Sequence, residues 1–262
     1  MARSFETGGV VGGQVVLEGF HAVKHALRFG ARVRSVVVLD LERALGLARS
    51  HAPDVVGEFE RRAEVVDAGE FARRIGRSHP TGVAGIAERP AEQAGHAGPA
   101  GQPEQAGHAG RAGAAERVAG APLVLLDNPR NLGNFGAVIR VAAGLGAGGV
   151  VSLGDVDPWH PTVLRGSAGL HFALPVRRLG GVDEVEGRVV AFDAGGADLR
   201  DQRIPDDAVL AFGSERHGLS DAVRARADLV VSLPMRPLVS SYNLTTSVAM
   251  ALYHWELFRR PR

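Results

Sequence analysis

The sequence predicts an α/β protein in which a C-terminal parallel sheet is preceded by a small α/β domain. Three observations predict it. Short apolar runs rich in Val, Leu and Ala recur at helix-length intervals beyond residue 122. Three of those runs empty into loops of Gly, Asn and Ser. An Ala/Gly-rich stretch divides this region from an earlier alternation of strands and helices. Strand, helix, strand repetition is the pattern of a parallel sheet covered on both faces.

Residues 1–13, MARSFETGGVVGG, are expected to form a flexible tail, and they lack the apolar stretch of a secretory signal. Over 14–90 the periodicity gives a short helix near Gly19 to Phe29 and a strand over Val33 to Leu39. Helical stretches follow around Leu41 to Arg62, then strands at Glu64 to Asp67 and near Val83 to Ala87. Residues 91–121 read as a disordered linker: 17 of the 30 residues from 91 to 120 are Ala or Gly, and the heptad EQAGHAG occurs twice. Nothing in such a segment offsets the entropy of ordering it. His96 and His108, one in each repeat, lack the further ligands and fixed geometry that a metal site needs.

Over 122–262, strands are expected near Leu123 to Asp127, Gly149 to Leu153, Arg188 to Phe192, Ala208 to Phe212 and Leu229 to Leu233. The final helix, Leu244 to Phe258, carries Val248, Ala249, Ala251, Leu252, Trp255 and Phe258 over a wide apolar arc. That arc suits either burial within the chain or an interface between copies.

Composition narrows the function classes. The chain has no cysteine, which excludes disulfides, thiolate metal sites and cysteine nucleophiles. No run of 18 apolar residues exists, and a cytoplasmic protein is expected. A net charge of +1 means that any nucleic-acid surface must be local. All but one of the 30 basic residues are arginine, the exception being Lys24, as GC-biased coding would produce. Gly144, Gly146 and Gly149 spell the dinucleotide fingerprint but follow a helix and precede a strand, the reverse of what phosphate binding requires. No G-x-S-x-G nucleophile elbow occurs.

The chemistry concentrates in three strand-to-loop segments: LLDNPRNLGNFGAVIR (Leu125 to Arg140), LAFGSERHGLS (Leu210 to Ser220) and LPMRPLVSSYNLTTSVA (Leu233 to Ala249). Loops at the carboxyl ends of strands are where open α/β sheets bind ligands. In the first, Asn134 stands where a helix N-cap is wanted, with the helix running from Phe135. Phe135, Val138, Ile139, Ala142 and Ala143 then follow a buried stripe, while Arg140 shares another row with Gly136 and Gly144. In the second, Gly213 allows close backbone approach to a ligand, and Glu215 is either a carboxylate at the sheet's edge or a helix-start acid. In the third, Ser241 and Asn243 bracket Tyr242 just before the last helix.

In order and spacing the three segments resemble the motifs of the SpoU-type (TrmH-like) RNA ribose methyltransferases of the SPOUT superfamily, over roughly Pro122 to Phe258. The opening LEGFHAVKHALRFGARVRSVVVLD resembles the N-terminal RNA-binding domain of ribosomal-RNA members. The resemblance implies a SPOUT domain with a trefoil knot, a homodimer, and methyl transfer from S-adenosyl-L-methionine to a ribose 2′-hydroxyl of structured RNA, ribosomal ahead of transfer RNA. No metal is implied. It assigns Asn134, Arg140, Glu215, Ser241 and Asn243 to the chemistry, and Gly213, Leu233, Met235 and Tyr242 to the cofactor. A guanidinium with a pKa above about 12 is a poor base, so Arg140 suits phosphate anchoring, even in the partner's site, and Glu215 suits proton removal. Pro237 departs from a common glycine, Tyr242 from a common leucine and His217 from a frequent acid. The first two also fit a second reading, a non-catalytic RNA-binding or ribosome-assembly protein. Antibiotic resistance and housekeeping modification are not distinguished by these residues.

Overall fold

β-Branched runs and capped helices assemble into two sheets in the computed structural model, which describes residues 13–90 and 118–259. The first sheet has the order β1-β4-β2-β3. Strand β1 (Gln14–Glu18) alternates buried and half-buried positions and runs antiparallel to β4 (Val83–Glu88). Strand β2 (Val33–Val38) is antiparallel to β4 and parallel to β3 (Ala63–Val65). Around it pack α1 (Phe20–Arg28), α2 (Leu41–His51), α3 (Val56–Arg62) and α4 (Ala68–Ile75). Asp40 and Asp67 cap α2 and α4 by accepting from the backbone N–H of Arg43 and Glu70. Neither β1 nor α4 is among the expected elements.

The second sheet is parallel throughout, in the order β10-β8-β9-β5-β6-β7. Its strands are β5 (Leu123–Asp127), β6 (Gly149–Leu153), β7 (Val176–Arg178), β8 (Arg188–Asp198), β9 (Ala208–Phe212) and β10 (Leu229–Ser232). Helices α5 (Leu132–Gly144), α6 (Pro161–Gly166), α7 (Asp221–Arg226) and α8 (Leu244–Phe258) complete it. Strand β5 is buried at all five positions. Val124 and Leu126 face a core shared with α5 and α8, and Leu125 faces one shared with α7. Val248, Ala251, Leu252 and Trp255 of α8 are buried within the chain, whereas Tyr253, Leu257 and Phe258 are exposed. Among the described residues no helix is long and apolar enough to cross a membrane.

Of the expected linker, residues 118–121 are described: 118–120 are exposed, the Val118 N–H donates to Gly148 O at 3.0 Å, and Ala121 is buried. His96, His108 and the expected tail up to residue 12 lie outside the described residues.

The two sheets meet along α1, α6 and the turn after α6. A Cβ on Gly169, at φ +77°, would stand 2.7 Å from Ala22 O, and one on Gly136 would stand 2.3 Å from Val163 O. Glycine thus lets α5, α6 and α1 stack with backbones in contact. His25 Nδ1 donates to Ala168 O at 2.8 Å, and Arg165 holds Glu18 of β1 at 3.1 Å. Burial acts to raise the Glu18 carboxyl, but hydrogen bonds from Arg165 and Arg77 outweigh it and leave the group below the ordinary carboxylate range.

His171 lies fully buried at this junction. Its Nε2 donates to Pro158 O and its Nδ1 accepts from Ser167 Oγ, each at 2.7 Å. Burial holds the ring neutral, with its pKa pushed down from 6.5 to about 4. The unfolded chain therefore binds a proton through a pH range where the folded chain does not. Stability from this residue is complete above pH 6.5 and is lost, by about 3 kcal/mol, as pH falls towards 4. Denaturant unfolding of the His171→Asn protein should show lower stability at neutral pH but a smaller further loss on acidification. An equal loss in both proteins would contradict this.

Candidate functional site

Loops after β9, β10 and β5 converge at the carboxyl edge of the second sheet, with the middle of β8 beside them. The first loop is fixed by its own cap. Asn131, not Asn134, caps α5, its Oδ1 accepting from the Asn134 N–H at 3.0 Å, so the helix begins at Leu132 rather than at Phe135. The expected cap at Asn134 is thereby corrected. One Asn satisfies the helix N-terminus, and the other, one turn on, has its side chain free for other partners.

Asn134 uses that freedom across the site. Its Nδ2 donates to Glu215 Oε1 at 2.8 Å, and its Oδ1 accepts from Asn243 Nδ2 at 3.3 Å. Asn243 caps α8 by accepting from the Thr245 N–H at 2.9 Å, and Thr245 Oγ1 donates to Asn134 O at 3.3 Å. Three residues distant in sequence thus form one hydrogen-bonded chain, Asn243 to Asn134 to Glu215.

Glu215 is not a helix-start acid, since α7 begins only at Asp221. It sits in a tight turn closed by reciprocal backbone bonds between Ser214 and Gly218, both 3.0 Å. Gly213 precedes that turn. A Cβ there would lie 2.0 Å from Gly218 C, so its glycine is required by the turn itself as well as by any ligand. Buried Asp127 ties this loop to β5 by accepting from the Ser220 N–H at 2.6 Å.

A cleft of about 550 Å³ opens beside the chain of Asn and Glu. Gly213, Glu215, Leu233, Met235, Ser241, Tyr242 and Asn243 all line it, so the structure brings together every expected site residue except two. Asn134 stands behind Glu215 and Asn243 rather than in the wall. Arg140 lies apart, exposed on α5; the protonation of Lys24 and His21 of α1 is disfavoured chiefly by burial, with a smaller push from Arg140. Tyr242 is pinned by its hydroxyl, which donates to Pro234 O at 2.9 Å. Pro237 is exposed and does not border the cleft, and Leu238 beyond it takes φ +71°.

The sequence reading missed one wall. Phe192 and Phe212 stack at 4.5 Å between ring centres, and Asp193 accepts from the Gly195 N–H and pairs with Arg224 at 2.6 Å. Those bonds hold its carboxyl below the ordinary range. The signal was available: Asp193 follows the predicted strand Arg188 to Phe192 at its carboxyl end. Among the described residues no cluster of three or more His, Asp or Glu could hold a metal ion.

A parallel sheet with a cleft framed by loops at its carboxyl edge defines the class: an α/β protein with a cavity at the strand ends, where such sheets bind ligands. This chain belongs to the SpoU rRNA methylase family, whose model matches residues 121–253. It is 35% identical over 144 residues to a 23S rRNA (uridine(2479)-2′-O)-methyltransferase of Streptomyces viridochromogenes, covering 50% of each chain. To a 23S rRNA (adenosine(1067)-2′-O)-methyltransferase of Streptomyces laurentii it is 36% identical over 152 residues, 50% of this chain and 52% of the relative. The matches thus span about half the length of these curated relatives. In structure it resembles the SpoU methyltransferase AviRb of S. viridochromogenes, solved with AdoMet, with a TM-score of 0.71 at 24% identity over 94% of this chain and 90% of that one. That likeness confirms the fold expected from the sequence, a small α/β domain ahead of the parallel sheet.

Proposed function

We propose that the protein transfers a methyl group from S-adenosylmethionine to a ribose 2′-hydroxyl of structured RNA, ribosomal RNA ahead of transfer RNA, and so works in the cytoplasm. The observation that carries this reading is the Asn243, Asn134, Glu215 chain at the rim of the cleft. Family membership and the activities named for the two Streptomyces relatives support it.

The residues present fit the cofactor. A cleft of about 550 Å³ is in the range for nucleoside-sized ligands. Its apolar wall of Phe192, Phe212, Leu233 and Met235 suits a base, and the carboxylates of Asp193 and Glu215 suit a cationic sulfonium. Gly213, Leu233, Met235 and Tyr242 would hold the cofactor, which when bound supplies an activated methyl group.

The protein's task is then to align a hydroxyl and remove its proton. Asn134 fixes Glu215 through Oε1, leaving Oε2 to accept that proton directly or through a water. Ser241, exposed at the rim, and Asn243 orient the ribose. Arg140 anchors an RNA phosphate, and because it lies outside its own chain's cleft we assign it to the cleft of a second copy. The exposed Tyr253 and Leu257 of α8 give such a homodimer an apolar face. The C-terminal trefoil knot belongs to the same reading.

Calorimetric titration with S-adenosylmethionine tests the proposal. Saturable binding, weakened in the Asn243→Ala protein, is the expected result. No binding even with RNA present would instead favour the non-catalytic RNA-binding reading.

A further inference from the structure

A second cavity, of about 440 Å³, adjoins the cleft and is lined by Arg130, Asn131, Ser214, Glu215, Arg216 and His217. Ser214 and Glu215 border both, so the carboxylate stands between two chambers. The chemistry of the second differs from that of the first. Its wall is cationic and has no apolar side chain.

Many arginines elsewhere are taken up by carboxylates, as in Arg28 with Asp54, Arg74 with Glu64 and Arg224 with Asp193. Arg130 and Arg216 are both exposed, and neither has an ion pair or hydrogen bond among the described residues. Two guanidinium groups set against the single Glu215 carboxylate leave the cavity net positive, which a further anion relieves. A guanidinium also matches the geometry of phosphate oxygens, which it can meet with two parallel hydrogen bonds.

We infer that this cavity binds the phosphodiester next to the target ribose, with Arg130 and Arg216 as its ligands. The inference rests on the RNA-methylation reading and deepens it. A ribose 2′-hydroxyl is vicinal to the 3′-phosphodiester of the same nucleotide, so a site that brings the hydroxyl to Glu215 brings an anion there too. Without nearby cations, the carboxylate and the phosphate would repel. Arg130 and Arg216, in the chamber that shares Glu215, offset that repulsion and set the ribose with its 2′-oxygen towards the cleft. His217, on the same wall, faces the same backbone.

The test uses the full chain with an unmethylated ribosomal RNA transcript. RNA affinity is measured against salt concentration for the unaltered protein and for Arg130→Ala, Arg216→Ala and both Arg→Lys proteins, alongside S-adenosylmethionine binding. Each Ala substitution should weaken RNA binding and lower the slope of log affinity against log salt by about one. It should raise the KM for RNA, with cofactor affinity unchanged, and the Lys proteins should recover part of the loss. Unchanged affinity and slope in both Ala proteins would overturn the phosphate site while leaving the methylation reading intact. A reduced slope in a protein that neither binds the cofactor nor methylates RNA would keep the site and remove that reading.

Discussion

Replacing Glu215 by Gln is expected to slow methyl transfer at saturating substrates by about 10²- to 10⁴-fold, the span of a positioned general base. Gln keeps the shape of Glu, and its amide oxygen can still accept from Asn134 Nδ2, so the chain of hydrogen bonds survives. What it loses is the capacity to take a proton. S-Adenosylmethionine affinity should fall far less than the rate does, because Asp193 still offers the sulfonium a carboxylate. Glu215→Ala separates chemistry from architecture, since it also strips Asn134 of its acceptor and should disturb cofactor binding. An unchanged rate in Glu215→Gln would remove Glu215 from the chemistry and return the problem of the base to the other polar groups at the rim.

The three loops were legible because each follows an apolar run with Gly, Asn and Ser, a purely local pattern. What depended on neighbours was not. Asn131 and Asn134 are both competent caps, and sequence alone does not choose. The fold gives the cap to Asn131, which lengthens α5 by one turn and lets Asn134 reach Glu215, 81 residues away. The Phe192 and Asp193 wall exists because β8 lies beside β9, a pairing that neither strand's own pattern specifies. Arg140 shows the converse. It is exposed, as its place off the buried stripe predicts, but Gly136 of its own row is buried against α6, and which site Arg140 faces depends on how distant elements meet.

The meeting of the two sheets was the least legible feature, and Trp159 tests it. This residue belongs to the second sheet's segment between β6 and α6, yet it is fully buried in the first sheet's core with Val15, Leu17, Phe20 and Val23. Its Nε1 donates to Val176 O at 3.3 Å, its ring packs on His171 and Phe172, and the Arg89 guanidinium lies 5.7 Å from its centre. Arg89 in turn pairs with Asp157 at 3.1 Å, so one side chain joins an apolar core to a charged strap. Trp159→Ala is expected to cost about 3–5 kcal/mol, a large share of the roughly 5–15 kcal/mol that holds a domain folded. The loss should fall on the junction. Hydrogen exchange should quicken in β1, α1 and the turn after α6, while β5 and β9 stay protected. Because the cleft is built wholly from the second sheet, cofactor affinity should survive while the KM for RNA rises as the first sheet loses its fixed seat. Trp159→Phe, which restores most of the buried area without the indole N–H, should recover most of the stability. Uniform exchange across both sheets in Trp159→Ala would mean instead that the two unfold as one unit, with Trp159 a core residue like any other.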